Sequence, residues 1–368
     1  MQNKSKKNFR FLHVGVHNNI GENLGDKIHF YLLRKWFDYN SPKKIIWTKR
    51  QIWKSFTKKE ILGINSKFDL VIIGGGGLFL SDQNTKSSKI SGWQLNIKSP
   101  LYKFFKVPIF LFAVGFNKFR GQKNFTNKFI VNIKKFYSKS NFFSLRNFGS
   151  IKKIRSLTGI KGIKLQPCVT TFINKFYRIS KIKRKRILSI GFAGDRIKYR
   201  FKNRDQIKNF IKTLEKLIYE FKKKNYEIHF VYHKNIDSYY VKFFKKSLLE
   251  NIKIKNLSNV GIKESMNYYT KVKCLFAMRG HHQLISIGCQ TPFFSIITHD
   301  KIKFLTQENN LQHFSADINK KNFNKKILKF ILNKESNINN IEEKIKKINL
   351  KFFNISKKNM SQIFQKIT

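Results

Sequence analysis

The chain of 368 residues contains little cysteine and no long uninterrupted apolar segment. Its three cysteines, Cys168, Cys274 and Cys289, form no Cys-x-x-Cys pair. An odd number without such a pair argues against a disulfide framework or a structural zinc site, and it fits a reducing compartment. The longest apolar runs, 70–80 and 107–116, are about half the ~20 residues that a helix needs to cross a bilayer. These absences predict a cytoplasmic protein.

The N-terminal segment MQNKSKKNFRFLHVGV is basic but makes a poor signal peptide. Its apolar stretch is short and is interrupted by His13. The prediction of a cytoplasmic location therefore stands, and it leaves open peripheral contact with the inner face of an anionic membrane.

Acidic residues are also scarce, since 20 Asp and Glu stand against 76 Lys and Arg, a formal charge of +56. Such a charge is typical of proteins that bind nucleic acid or anionic membranes. The lysines are spread over nearly every segment, however, and Lys, Ile, Asn and Phe all have AT-rich codons. Genome base bias is therefore our main explanation for the charge, and we expect no specific nucleic acid partner. A basic nucleic-acid-binding protein is kept as an alternative of a different class.

What the chain does contain is an alternation of short apolar runs, Gly- or Asn-rich turns and helix-compatible stretches. Apolar runs that predict strands lie at 10–16, 68–79, 107–116, 141–147, 162–170, 187–195, 226–233, 272–278 and 291–297. Between Ile207 and Phe221 a 3.6-residue period predicts a helix. Continuous apolar runs are typical of parallel strands buried on both faces. The pattern predicts an α/β protein with two doubly wound, Rossmann-like domains that face a cleft.

We predict an N-terminal domain over 1–175, a second domain over 186–315 and a C-terminal helical segment over 316–368. The basic stretch near 172–186 has no periodicity and is interpreted as the link. In the last segment, apolar residues recur at 4-3-4-3 spacing, with lysines on the other face: Ile341, Ile345, Ile348, Phe352 and Ile355. This segment is either a closing helix that packs on the domains or a basic amphipathic helix on a membrane surface.

Four stretches follow apolar runs, where open α/β sheets bind their ligands. They are GENLGD (21–26), GGGG (74–77), SLRN (144–147) and MRGHH (278–282). Asp26 is predicted to cap the helix that follows the first strand. The run Gly74, Gly75, Gly76 and Gly77 matches neither a dinucleotide fingerprint nor a P-loop. It either lets a ligand approach the backbone closely or forms a tight turn that needs positive φ.

The stretch MRGHH carries the strongest chemical signal. His281 is suited to proton transfer near neutral pH, and Arg279 offers a planar fork for a carboxylate or phosphate. A metal site at His281 and His282 is disfavoured because adjacent histidines on a regular element point apart and no Asp, Glu or Cys lies at ligand spacing. Arg146 alone would be interpreted as a surface or ion-pair residue, and only its position after an apolar run favours a role in binding. The spaced pairs His13/His17 and His229/His233 are interpreted mostly as structural.

The motifs NLGD, FDLVIIGGGGLF, AVGF, SLRN and ESMNYYTKVKCLFAMRGHHQLISIGCQTPFFSI occur in this order over about residues 10–305. Together they resemble the polysaccharide pyruvyl transferase family. The resemblance implies two Rossmann-like domains in the manner of GT-B glycosyltransferases. It also implies transfer of the enolpyruvyl carbon skeleton of phosphoenolpyruvate to two hydroxyls of a sugar, which makes a pyruvate ketal.

Carried over position by position, the resemblance makes Arg279 and His281 the catalytic pair of Met-Arg-x-His. Arg146 matches the Arg of Ser-x-Arg. The implied substrate-binding residues are Arg146, Asp26, Gly74, Gly75, Gly76, Gly77, Gly280 and His282, with His282 expected to take little part.

Two positions depart from the family pattern. Gly280 stands where the family commonly has Leu, and Asn147 stands where it commonly has Asp.

By this resemblance, the two arginines clamp phosphoenolpyruvate, and a histidine acid protonates its enol carbon. The partners implied are phosphoenolpyruvate, on the second domain, and a glycan or lipid-linked sugar acceptor, on the first. No metal or other cofactor is expected. A GT-B-like glycosyltransferase that uses a nucleotide sugar is the alternative within enzymes.

Overall fold

The computed structural model describes residues 8–17, 23–81, 85–177 and 184–367. These residues form two six-stranded parallel sheets with helices packed on them. The predicted class, two doubly wound α/β domains, is confirmed. Residues 178–183 of the predicted link and residues 21 and 22 of the GENLGD stretch lie outside the described part of the chain.

The first sheet has the strand order β2-β1-β3-β4-β5-β6. Its elements are β1 Asn8–Gly15, α1 Leu24–Asn40, β2 Lys44–Gln51, α2 Lys58–Lys67, β3 Leu70–Phe79, α3 Lys86–Ser91, β4 Ile109–Phe116, α4 Asn127–Lys139, β5 Phe142–Leu145, α5 Phe148–Thr158 and β6 Lys164–Leu165. Two 3-10 helices, Ser99–Phe104 and Val169–Lys175, complete it. All eight residues of β4 are buried, because helices cover both faces of the sheet.

The second sheet has the order β12-β11-β10-β7-β8-β9. Its elements are β7 Ile187–Gly191, α6 Ile197–Arg200, α7 Arg204–Lys222, β8 Glu227–Tyr232, α8 Lys246–Leu249, β9 Ile252–Asn256, α9 Ile262–Lys271, β10 Cys274–Ala277, α10 Gly280–Gly288, β11 Phe293–Ile297, α11 Asp300–Glu308, β12 Ser315–Asp317, α12 Phe323–Leu332 and α13 Lys334–Ile367. Two 3-10 helices, Asn235–Phe243 and Gln312–Phe314, lie among them.

The start of α1 differs from the prediction. Asn23 is the N-cap, and its side chain accepts a hydrogen bond from the backbone N–H of Gly25. Asp26 lies within the first helical turn, where Asn23 Nδ2 donates to its Oδ2 at 2.8 Å. The prediction that Asp26 caps the helix is wrong, because the Asn-Leu-Gly sequence before it already supplies a cap and a first turn.

The glycine run lies inside the strand that the sequence predicted over 68–79. Gly74–Gly77 are part of β3, and the pairing with β4 becomes irregular between Gly76 and Phe79. Gly76 has a φ of 79°, which glycine adopts without strain. A Cβ atom on Gly74 would lie 2.2 Å from the carbonyl oxygen of Phe112. The run therefore combines a strand with a backbone that kinks at its carboxyl end.

The last helix, α13, closes the molecule. Its apolar stripe is buried, and its far end reaches the first domain, where the Phe364 ring lies 6.5 Å from that of Phe9 and 6.1 Å from that of Phe37. The apolar face is thus covered by protein, which favours the closing-helix interpretation over a helix lying on a membrane. Among the described residues, none of the helices combines the length and the apolar character needed to span a membrane.

Candidate active site

A cleft of about 580 Å³ lies at the carboxyl ends of both sheets, within the usual size range of small-molecule sites. The first domain contributes Asp26 and the glycines Gly75 to Gly77, and the second contributes Arg279, Gly280, His281 and Lys301. Most of the residues expected from sequence therefore meet at one place. They meet because parallel strands of one sheet end at the same edge.

His281 brings the NLGD and MRGHH motifs into contact. It lies in the first turn of α10, is buried, and has its Nδ1 3.9 Å from Oδ1 of Asp26. A Cβ atom on Gly25 would lie 2.2 Å from the same Nδ1, so the glycine of NLGD leaves room for the ring. Nε2 of His281 has no hydrogen-bond partner among the described residues.

The environment of His281 sets its protonation. Burial, His29 and Lys301 hold the pKa of His281 well below its usual range, so its imidazole is neutral at pH 7. Burial raises the pKa of the Asp26 carboxyl. The sequence predicted a histidine poised as an acid near neutral pH, but burial, together with the surrounding cations, favours its neutral form. The pair can still pass a proton, provided that a bound anion offsets these cations.

Arg279 does not present the free fork that its sequence predicted. Its Nε donates to Oδ2 of Asp237 at 2.8 Å, and its Nη2 bonds the other oxygen of Asp237 and lies 2.9 Å from Oδ1 of Asp195. Asp237 is fully buried and also accepts from the backbone N–H groups of Gly194 and His233. Two carboxylates therefore already occupy the Nε and Nη2 donors of Arg279, and the anion clamp expected there stays a prediction.

Arg146 has the opposite environment. It follows β5 directly and is buried, and a Cβ atom on Gly115 would lie 2.1 Å from its Nε. Its Nη2 has no hydrogen-bond partner among the described residues. A buried guanidinium with an unpaired donor is a strong attractor for an anion, since leaving it unpaired is costly. Arg146 lines a small cavity beside the main cleft, together with Cys168, Gly280 and Lys301.

Lys301, in the first turn of α11, belongs to the site although the sequence analysis did not single it out. Burial and the neighbouring Arg146 lower the pKa of its amine to about 7. Its place shortly after β11, at the same sheet edge as MRGHH, is the only signal that could have identified it. That signal is weak in a chain with 76 basic residues.

A second group that the sequence did not suggest is formed by His29, Cys168 and His281. Their ligand-type atoms lie within 4.8 Å of one another, and Nδ1 of His29 is 3.0 Å from Sγ of Cys168. A Cβ atom on Gly75 would lie 1.3 Å from Nε2 of His29, so this glycine accommodates the ring. The nearby cations Arg146 and Lys301 raise the energy of a divalent ion here, and they favour an anion instead.

His282 makes its contacts inside the second domain. Its Nδ1 is 2.6 Å from the hydroxyl of Tyr269, which also lies 2.7 Å from Nε2 of His233. The ring faces Gly191 inside the second domain and lines neither of the two site cavities. His282 points away from His281 because neighbouring residues on a helix point about 100° apart, and its expected contact with substrate stays a prediction.

Asn147, the second departure from the family pattern, has a structural use. Its Oδ1 accepts a hydrogen bond of 2.8 Å from the backbone N–H of Ser150, which caps α5. Asn and Asp are about equally good in this position, so the cap is kept despite the change.

The sequence model of the family described as polysaccharide pyruvyl transferase matches residues 23–300, which is more than half of the chain. The protein therefore belongs to that family, whose members are transferases that act on polysaccharides. A comparison with curated proteins gave no significant sequence match.

The fold resembles solved structures of low sequence identity. The S. aureus MnaA-UDP co-structure has a TM-score of 0.56 at 13% identity, with 91% of each chain covered. A putative UDP-N-acetylglucosamine 2-epimerase from Listeria monocytogenes has a TM-score of 0.56 at 10% identity, again with 91% of each chain covered. UDP-GlcNAc 2-epimerase from Neisseria meningitidis bound to UDP-GlcNAc has a TM-score of 0.55 at 11% identity, covering 97% of this chain and 100% of that one. These likenesses show a GT-B-like fold.

Proposed function

We propose that the protein transfers the pyruvyl group of phosphoenolpyruvate to a sugar of a surface polysaccharide or its precursor and forms a pyruvate ketal. Membership of the family supports this, and one observation carries it beyond the family. A buried arginine with an unpaired donor, Arg146, lies beside a second cation, Lys301, and a neutral histidine, His281. That set fits a small, highly charged anion whose reaction includes proton transfers.

The donor binds with its anionic groups toward Arg146 and Lys301. Burial is the main cause of the low pKa of His281, and nearby cations lower it further. The negative charge of the donor offsets these cations and raises the pKa of the imidazole. Asp26, 3.9 Å from His281, is placed to share the proton. Both domains then contribute to donor binding, and the acceptor occupies the side of the cleft formed by Gly75 to Gly77.

The reaction balances without an added oxidant or reductant. A first sugar hydroxyl bonds through oxygen to the central carbon of the enol, while a proton is added to the methylene carbon. The bond from the central carbon to the phosphate oxygen then breaks, and phosphate leaves with the electron pair. A second hydroxyl adds to the same carbon. Of the two hydroxyl protons, one ends on the new methyl group and the other on phosphate, so His281 and Asp26 need only relay them.

The same proposal places the enzyme in the cytoplasm, with a glycan or lipid-linked sugar as acceptor at the inner membrane face. The basic surface supports an anionic neighbour of this kind, and its attraction should weaken with salt.

The test measures phosphate release from phosphoenolpyruvate in the presence of a panel of methyl hexosides, with acid-labile pyruvate on the sugar as the product assay. We expect His281→Ala and Arg146→Gln to abolish release. Arg155→Gln, an exposed arginine on α5, is the matched control and should retain activity.

Binding is measured separately by calorimetry with phosphoenolpyruvate alone and with UDP-GlcNAc alone. Binding of UDP-GlcNAc without binding of phosphoenolpyruvate would overturn the proposal and favour a nucleotide-sugar glycosyltransferase.

A further inference from the structure

The end of the Lys301 side chain occupies the space that a side chain at position 280 would fill. A Cβ atom on Gly280 would lie 2.9 Å from Cε of Lys301 and 3.6 Å from its Nζ. The first distance is shorter than a carbon–carbon contact, so any side chain at 280 would have to displace the end of the lysine. The absence of a side chain at 280 is thus what lets Lys301 reach this position.

The two residues stand where the site's cavities meet. Both line the main cleft, with Asp26 and His281, and both line the smaller cavity, with Arg146. The amine of Lys301 can therefore contact a ligand in the main cleft while it also lies at the cavity that Arg146 lines.

Lys301 also lacks a partner of its own. Its Nζ makes no hydrogen bond or ion pair with any residue in the described ranges. The charged groups that act on it are Arg146 and Arg200, which disfavour its protonation, and Asp26 and Asp195, which favour it. Asp195 is itself committed to Arg279 and Arg200, at 2.9 and 3.2 Å. The ammonium is therefore available to an anion from outside the protein.

We propose that Lys301 is a donor-binding residue which Gly280 admits to the site, and that its ammonium contacts an anionic group of the donor beside Arg146 and His281. The proposal rests on the proposed function, because it takes phosphoenolpyruvate as the anion. In this chain the two donor cations are then Arg146 and Lys301, while Arg279 is held by two carboxylates. This role of Lys301 explains why Gly280 departs from the family pattern, since a side chain at 280 would displace the lysine.

The first test compares the affinity of wild type and Lys301→Met for phosphoenolpyruvate by calorimetry at pH 7. Methionine keeps the length of the chain and removes the charge. We expect the dissociation constant to rise about 10- to 100-fold, as for the loss of one charge-assisted contact. Lys303→Met, an exposed lysine on the same helix, is the control and should bind as wild type does.

The second test distinguishes a contact from a merely structural effect. An amine with a pKa near 7 must take up a proton when it pairs with an anion at pH 8. Calorimetry in buffers of different ionisation enthalpy measures that uptake, and the phosphate of the donor is already ionised at this pH. We expect wild type and Lys303→Met to take up more protons than Lys301→Met. Because Lys301 also lowers the pKa of His281, the comparison is repeated in a His281→Ala background, which removes any proton uptake by the imidazole.

The third test addresses Gly280. Gly280→Leu should displace the ammonium and weaken donor binding as much as Lys301→Met does. The double variant Gly280→Leu/Lys301→Met should bind no more weakly than Lys301→Met alone, because the two changes remove the same contact. Additive losses in the double variant would contradict the shared role.

The outcomes separate the two proposals. If wild type does not bind phosphoenolpyruvate, the proposed function fails. If wild type binds it and Lys301→Met binds it equally well, with equal proton uptake, only the role of Lys301 fails. Circular dichroism melts of each variant identify a change that acts through unfolding.

Discussion

The guanidinium of Arg279 lies between the carboxylates of Asp237 and Asp195 at the cleft, and it is buried together with Asp237, whereas Asp195 is partly exposed. Burial alone would lower the pKa of this guanidinium, but the two carboxylates raise it above its usual range. Asp237 in turn orders the backbone at Gly194, His233 and Lys234 by accepting their N–H groups. Arg279 therefore holds together the loops on which the second domain presents its half of the site.

We predict that Arg279→Gln lowers the free energy of unfolding by about 3–5 kcal/mol, since it leaves the carboxylate of Asp237 buried without its counter-charge. Urea unfolding followed by circular dichroism measures the loss. Lys346→Gln, which breaks the exposed pair with Glu343, is the control and should have no measurable effect. Unchanged stability of Arg279→Gln, with donor binding lost, would instead show that Arg279 acts on the donor directly.

Sequence reasoning located Arg146, Arg279, His281 and Asp26 because apolar runs mark strands and strand ends mark the sheet edge. It could not assign their charge states. The partners Asp237 and Asp195 lie far away in the chain, and nothing in the pattern around them points to Arg279. Lys301 was hidden by the abundance of lysine, although it is among the few that are partly buried at the cleft.

Among the strands, most of those that the sequence predicted are buried on both faces. β4 and β11 read as continuous apolar runs because helices cover both sides. The edge strands β2 and β9 are largely exposed and each carries two lysines, so no long apolar run marks them. The three-residue β12 is too short for any period to appear. Apolar runs in the sequence thus indicate buried strands. They do not mark exposed strands that are held at the sheet edges by backbone hydrogen bonds.

Two helical glycines with contrasting surroundings give an element-scale prediction. Gly63 in α2 has nothing within 4 Å of an added Cβ atom, so Gly63→Ala should stabilise the protein by about 0.5–1 kcal/mol. In α10 a Cβ atom on Gly288 would lie 2.0 Å from the carbonyl oxygen of Thr170. Gly288→Ala should therefore destabilise it, by about 1–3 kcal/mol. Chemical denaturation of both variants measures the difference, and the same sign for both would refute the packing of α10 on the 169–175 segment.

At the scale of the whole molecule, α13 connects the two domains by contacting both of them. Its first turn reaches the second domain, where Glu335 accepts a 2.8 Å hydrogen bond from Tyr226. Further along, Asn359 donates to the carbonyl of Leu165 at 2.8 Å, and Phe364 enters the core of the first domain between Phe9 and Phe37. A single helix therefore limits how far the two halves of the cleft can separate.

We predict that Phe364→Ala lowers the stability of the first domain by about 3 kcal/mol, the usual effect of removing a buried aromatic ring. All four tryptophans, Trp36, Trp47, Trp53 and Trp93, lie in that domain, so tryptophan fluorescence during urea unfolding reports on it and on α13, which Trp36 contacts through Phe353. Leu350→Ala, an exposed position on the same helix, is the matched control and should change the stability by less than about 0.5 kcal/mol. An equal effect of both variants would exclude the proposed tie.

The contact of Phe364 with Phe9 and Phe37 also bears on the order in which the two domains complete their folding. Domains usually complete their folding in the order in which the ribosome releases them. Here the first domain has its strands and helices by residue 177, but the ring that closes the space between β1 and α1 belongs to a segment made nearly two hundred residues later. During synthesis we therefore expect the core of the first domain to stay incomplete while the second domain is translated. The Phe364 ring of α13 then completes that core, so the first domain folds fully only after the second has been translated.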